Sequence, residues 1–88
     1  MYKIVFSGRV QGVCFRVHIK RKSLELGLRG YVKNQEDGTV LVICQGSEFQ
    51  IKRLIEFIKS SPGISKVNEL ISGKVDMDQE FDSFKIRY

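Results

Sequence analysis

The sequence has few of the residues that build metal sites and covalent cross-links. Its 88 residues include one histidine, one proline, two cysteines and no tryptophan. Cys14 and Cys44 could form one disulfide, but no secretion signal precedes them. We therefore expect two reduced thiols and a cytoplasmic protein. No apolar run approaches the length that crosses a membrane, so we expect no membrane partner.

The acidic residues near the end of the sequence do not complete a metal site. Four of them alternate as in a calcium-binding loop, namely Asp76, Asp78, Glu80 and Asp82. That loop also requires Gly at its sixth position and Glu at its twelfth, where this sequence has Phe81 and Arg87. His18 stands alone on a predicted helix, as surface histidines commonly do. We expect no metal and no cofactor, and a solvated acidic turn before the last strand.

Negative charge is also scarce. Fifteen Lys and Arg residues against ten Asp and Glu residues give a formal net charge of +5. This excess favours an anionic partner but does not choose between nucleic acid, an anionic membrane and a phosphorylated small molecule. A solvated charged surface is the simpler interpretation. The length predicts a single domain over residues 1–88, and a small basic domain is expected to be a monomer.

The apolar residues predict alternating strands and helices. Apolar residues at positions 2, 4 and 6 alternate with other residues as in a first strand. A helix follows, and one of its faces carries Phe15, Ile19, Ser23 and Leu26. Arg16 lies off that face, and the helix is expected to stop at Gly27. The later elements are a strand over 29–35, a hairpin turn at Asp37-Gly38, an apolar strand over 39–44, a helix capped by Ser47 that runs to about residue 60, and strands over 67–75 and 84–88.

This order predicts an α+β fold of the ferredoxin-like type, βαββαβ with a short C-terminal strand. Two helices are expected to cover one face of a mostly antiparallel sheet. The nearly continuous apolar run at 39–44 indicates a central strand. We also expect the loop after the first strand to lie beside the second strand.

The segment from Gly8 to Arg16 carries the clearest chemical signal. It joins a strand to a helix and contains two glycines, so its backbone N–H groups could line an anion-binding concavity. A simple glycine-containing turn explains the segment equally well. A cation in the first helical turn is disfavoured by about 0.3–1 kcal/mol, which favours an anion bound between Arg16 and the loop. Arg16 could also extend into solvent.

Two better-known phosphate loops are excluded. A Walker A loop needs Gly-Lys-Ser/Thr after its second glycine, but Val13 follows Gly12. A cysteine phosphatase would place five residues between its cysteine and arginine, whereas only Phe15 separates Cys14 from Arg16. Cys14 is therefore interpreted as a loop or packing residue rather than as a nucleophile.

Two motifs together resemble the signatures of the acylphosphatase family. The first is Gly8 to Arg16, with Val-Gln-Gly-Val at 10–13 and Phe-Arg at 15–16. The second is Gly-Tyr-Val-Lys-Asn at 30–34, followed by Asp-Gly-Thr-Val at 37–40 and Gln-Gly at 45–46. The final residues 84–88 are similar to the family's closing strand. The sequence departs from the family at Tyr31, where Trp is usual, and at Ser23, where Ala is usual. We interpret both departures as changes in packing.

The resemblance implies an enzyme that hydrolyses a small-molecule acyl phosphate without a metal or cofactor. It implies that Arg16 binds the phosphate together with backbone N–H groups of the loop, from Gln11, Gly12, Val13, Cys14 and Phe15. It also implies that Asn34 orients the attacking water. An asparagine at a strand end beside a hairpin is otherwise a common turn residue.

Two alternatives belong to other functional classes. RNA-recognition domains share the ferredoxin-like topology, but they display stacking aromatics on central strands, and residues 40–44 are aliphatic. We therefore expect no nucleic-acid partner. A non-catalytic acylphosphatase-like domain of the kind found in hydrogenase-maturation proteins is the other alternative. The absence of a zinc-finger segment after Tyr88 favours a free-standing enzyme.

Overall fold

A computed structural model describes residues 1–9, 13–60 and 66–88, with the side chain of Val13 left out of the description. The elements are β1 (Tyr2–Arg9), α1 (Val13–Glu25), β2 (Arg29–Asn34), β3 (Val40–Gln45), α2 (Glu48–Lys59), β4 (Lys66–Lys74) and β5 (Phe84–Arg87). Their order confirms the predicted ferredoxin-like arrangement with its added final strand. None of the helices in these ranges is long and apolar enough to span a membrane.

The five strands form one sheet in the order β4-β1-β3-β2-β5. All neighbours are antiparallel except β2 and β5, which run parallel. β3 is central, as its apolar run predicted. β1 and β2 are not neighbours, because β3 lies between them. The expectation that the loop after β1 lies beside β2 stays a prediction, since residues 10–12 lie outside the described residues. A strand order depends on pairing between distant segments, which the local sequence pattern does not contain.

Both helices pack on the same face of the sheet. Directly paired strand residues place their side chains on one face in rows, and one buried row runs from Ile4 through Val42 to Val32. From the helices, α1 contributes Phe15 and Ile19 to this core, whereas α2 contributes Ile51, Leu54 and Ile58. The core therefore lies between the sheet and the helix pair.

The two helices differ in how their sequences specify them. α2 has a complete capping box, in which the Ser47 side chain accepts from the Gln50 amide at 3.2 Å and Gln50 Oε1 accepts from the Ser47 amide at 2.7 Å. The Gln50 side chain also donates to the Leu26 carbonyl at 2.6 Å and joins α2 to the end of α1. α1 buries two polar side chains, Arg16 and Ser23, which weakens its apolar pattern.

The connection from β4 to β5 lies against the opposite face of the sheet. Side chains alternate along β2, so Tyr31 faces away from the helices. The Phe81 ring packs edge-on to Tyr31 with 5.8 Å between centroids, and the Arg87 guanidinium lies 3.9 Å from the Tyr31 ring centre. Gln45 donates to the Gln79 carbonyl at 3.1 Å. The acidic segment predicted as a solvated turn is thus anchored by its aromatic residue.

Candidate active site

Arg16 is the most unusual side chain in the described structure. It is the fourth residue of α1, and only 6% of its surface is exposed. This corrects the sequence interpretation that put Arg16 off the buried face of the helix. Among the described residues no carboxylate lies within ion-pair distance of its guanidinium, and its buried Nε has no hydrogen-bond partner. A buried cation in this state is costly unless an anion joins it.

Tyr88 covers one side of this arginine. The guanidinium carbon of Arg16 lies 4.8 Å from the centre of the Tyr88 ring, while the ring is otherwise largely exposed. Such a cation–π contact fixes the plane of the guanidinium and leaves the N–H groups at its edge available. No pattern in the sequence indicated this contact, because Tyr88 and Arg16 are far apart in the chain. Their proximity depends on α1 packing against β5.

Asn34 ends β2 on the face that the helices cover. It pairs with Val40, which pairs in turn with Phe6, and both of these neighbours are buried core residues. The Asn34 side chain therefore points to the same face of the sheet as the core. Its Oδ1 atom is buried and has no hydrogen-bond partner among the described residues. An unpaired buried oxygen of this kind is rare and suits a bound donor such as water.

A tight hairpin holds Asn34 at the end of its strand. The Gln35 amide donates to the Thr39 carbonyl at 2.8 Å, and Gly38 takes a left-handed φ of 90° in the turn between them. The Thr39 amide donates to the Asp37 side chain at 3.0 Å. Hydrogen bonds from Thr39 lower the pKa of the exposed Asp37 carboxyl. The bond from the Thr39 side chain has the larger effect, and the bond from its backbone amide has the smaller one. The predicted Asp37-Gly38 turn is confirmed.

Tyr88 also connects Arg16 with the strand that carries Asn34. The last register pair between the parallel strands β2 and β5 is Lys33 with Arg87. Asn34 is the last residue of β2 and Tyr88 directly follows the last residue of β5, so both lie at the same end of these parallel strands. Arg16 lies on the Tyr88 ring. The fold therefore brings the two predicted catalytic residues to the same end of the sheet.

The predicted phosphate-binding loop is described in part. Gln11 and Gly12 lie outside the described residues. Val13 is the first residue of α1, and Cys14 and Phe15 follow in its first turn, where backbone N–H groups have no partner within the helix. This turn contains no acidic side chain that would occupy those donors. The first turn can therefore present its backbone donors to an anion.

Phe15 fixes the start of α1 on the sheet. Its ring is buried and packs edge-on to Phe6, with 5.4 Å between the ring centroids. Phe6 belongs to the same row as Asn34, so this contact ties the helix start to the row that ends in Asn34. The Phe15 side chain thus contributes packing, while only its backbone could contact an anion.

Both cysteines are free, but their surroundings differ. Cys14, interpreted as a loop or packing residue, is exposed at the start of α1 and does not pack in the core. That it is not a nucleophile stays a prediction. Cys44 is buried in the central strand, and this burial raises the pKa of its thiol from 9.0 to about 12. Within the described ranges, no three His, Cys, Asp or Glu side chains gather as metal ligands would.

Comparisons with known proteins agree with these features. The family model described as Acylphosphatase matches residues 2–86. An acylphosphatase from Picrophilus torridus is 43% identical over 84 residues, covering 96% of this chain and 98% of that protein. The crystal structure of acylphosphatase from Bacillus subtilis has a TM-score of 0.91 at 32% identity, covering 99% of this chain and 97% of that one.

The same fold also occurs within a larger protein. The crystal structure of HypF from T. kodakarensis matches with a TM-score of 0.86 at 28% identity, covering 99% of this chain but 12% of that one. The full-length matches, together with the family model, confirm the resemblance that the two sequence motifs carry. The chain therefore belongs to the acylphosphatase family.

Proposed function

We propose that this protein hydrolyses acyl phosphates to a carboxylate and inorganic phosphate, with Arg16 holding the phosphate and Asn34 holding the attacking water. The observation that carries the proposal is the burial of Arg16 without a carboxylate partner among the described residues. The family resemblance implies both the reaction class and the roles of Arg16 and Asn34, and the burial of Arg16 and of the Asn34 side-chain oxygen supports those roles. We expect the protein to act as a cytoplasmic monomer without a metal or cofactor.

Arg16 would bind and polarise the phosphoryl group. Its planar guanidinium matches two phosphate oxygens, and the Tyr88 ring limits its rotation. Backbone N–H groups from Gln11 to Phe15 would bind the remaining oxygens. Negative charge spreads over three equatorial oxygens in the transition state of phosphoryl transfer, so fixed donors at this point lower the barrier.

Asn34 would position the nucleophile. Its unpaired Oδ1 accepts a hydrogen bond from water and directs an oxygen lone pair toward phosphorus, opposite the leaving carboxylate. The new bond joins the water oxygen to phosphorus while the bond from phosphorus to the acyl oxygen breaks. The water proton passes to a phosphate oxygen of the substrate, which acts as the base.

The leaving group explains why so few side chains suffice. A carboxylate leaves with its electron pair, and its conjugate acid has a pKa of about 4–5, like the carboxyl side chains. It departs as an anion near neutral pH and needs no general acid. Catalysis can then depend on orientation and charge stabilisation alone, which Arg16, Asn34 and the loop supply.

The test is the hydrolysis of benzoyl phosphate in the presence of EDTA. We expect turnover by the wild type, and a fall of about 100- to 1,000-fold in kcat/KM for Arg16→Ala and for Asn34→Ala. Arg29→Ala removes an exposed arginine from the other end of β2 and is the matched control, with unchanged activity. Circular dichroism verifies that each variant folds. A folded, inactive wild type would refute the proposal.

A further inference from the structure

Two cations face each other where β1 and β4 meet, beside the segment that leads into the phosphate-binding loop. Arg9 is the last residue of β1 and is directly paired with Lys66, the first residue of β4. Both side chains are exposed. Together with Gly8 and Asn68 they line an open cavity of about 580 Å³. None of the four lining residues belongs to the row of paired strand residues that ends in Asn34.

A bulge in β4 creates this arrangement. The register shifts after Ser7, so that Gly8 pairs with Val67 and Asn68 is left as the extra residue. Gly8 has a φ of 130°. A Cβ atom there would collide with the Lys66 carbonyl oxygen and would lie 2.8 Å from the backbone nitrogen of Asn68. Glycine therefore allows the two backbones to approach closely and fixes Arg9 opposite Lys66.

This cation pair forms no ion pair in the described structure, although Glu69, which pairs with Ser7, carries a negative charge on the same face of the sheet. Neither Arg9 nor Lys66 forms an ion pair with any residue in the described ranges. The neighbouring segments 10–12 and 61–65 contain no Asp or Glu in their sequences. Like charges directly opposite on paired strands are destabilising, so the pair would be relieved by an anion between them. The Asn68 side chain adds an uncharged hydrogen-bond donor.

We propose that Arg9, Lys66 and Asn68 form a second oxyanion site, which binds a carboxylate or phosphate group. The group has two possible sources. It belongs to the acyl part of a substrate with a second negative charge, or to a free anion. Arg9 lies two residues before Gln11, so the site adjoins the loop expected to hold the reacting phosphate. The substrate source depends on the proposed function, whereas binding of a free anion does not.

The first arm of the test measures binding directly. Inorganic phosphate is titrated into ¹⁵N-labelled protein, with the Asn68 and Asn34 side-chain amides as reporters of the two sites. We expect the Asn68 resonance to move with a dissociation constant of about 1–10 mM at low salt, and to stop moving in Lys66→Gln. Lys52→Gln removes the same charge from α2 and should keep the response. An Asn68 resonance that never responds would overturn the site.

The second arm identifies the source of the anion. Succinyl phosphate and butyryl phosphate have acyl chains of equal length and differ by a terminal carboxylate. If the site binds substrate, wild type prefers succinyl phosphate, and Lys66→Gln lowers the ratio of the two kcat/KM values about two- to fivefold. An unchanged ratio with a phosphate-responsive Asn68 assigns the site to free anions. A wild type that does not hydrolyse benzoyl phosphate would refute the proposed catalytic function but not this anion site, because the first arm measures binding and needs no turnover.

Discussion

Replacing Arg16 by methionine should abolish activity and at the same time stabilise the fold. Methionine has a similar length and no charge, so it fills the same space between α1 and Tyr88. Arg16 is 6% exposed and has no carboxylate partner among the described residues. Exchanging an unsatisfied buried charge for an apolar side chain removes its desolvation penalty.

The expected magnitude is a rise of about 1–2 kcal/mol in the free energy of unfolding. Buried ionic groups replaced by packed apolar ones yield about 1–4 kcal/mol. Loss of the contact between Arg16 and the exposed Tyr88 ring destabilises the variant by about 0.5–1 kcal/mol, which reduces this gain. For a domain of this size the midpoint temperature should rise by about 4–8 °C per kcal/mol.

Denaturant unfolding in phosphate-free buffer measures this change, and phosphate provides the internal control. At ten times its dissociation constant from the site at Arg16, phosphate should stabilise the wild type by about 1.4 kcal/mol through binding to that site in the folded state. Arg16→Met should lose most of that gain. A methionine variant that is less stable than wild type without phosphate would refute the reasoning, because Arg16 would then be satisfied by the protein itself.

Three further predictions concern single side chains. Tyr88→Ala should lower kcat/KM for benzoyl phosphate about tenfold with a small change in unfolding free energy, because Arg16 loses the ring that orients it, and Tyr88→Phe should restore it. Gln50→Ala should cost about 1–2 kcal/mol in urea unfolding, since the capping box and the bond to Leu26 are both lost; no change would contradict that role. The Cys44 thiol should make stability fall by up to about 1.4 kcal/mol per pH unit between pH 9 and 12, because the unfolded thiol loses its proton there and the folded one does not. A Cys44→Val variant should fall less steeply over that range in urea titrations, and an equal slope would refute the burial effect.

The local pattern of the sequence predicted the elements well. The turn at Asp37-Gly38, the cap at Ser47 and the central apolar strand are signals contained within a few residues each. The helix α1 was predicted from the spacing of Phe15, Ile19 and Ser23, all of which are buried. Their periodicity is a property of the helix itself, so no tertiary information was needed.

The sequence could not predict how distant segments meet. It placed Arg16 off the buried face, because a charge is normally exposed, whereas the packing of α1 against β2 and β5 encloses it. It also missed Tyr88, which reaches Arg16 only through the parallel pairing of β5 with β2. The roles of Arg16 and Asn34 came from the family resemblance, and their catalytic contributions stay a prediction.

The most direct test of the central claim is hydrolysis of benzoyl phosphate in ¹⁸O-labelled water, followed by mass analysis of both products. If water held by Asn34 attacks phosphorus, one ¹⁸O atom appears in inorganic phosphate and none in benzoate. Label in benzoate would mean attack at the carbonyl carbon, and it would contradict the roles assigned to Arg16 and Asn34.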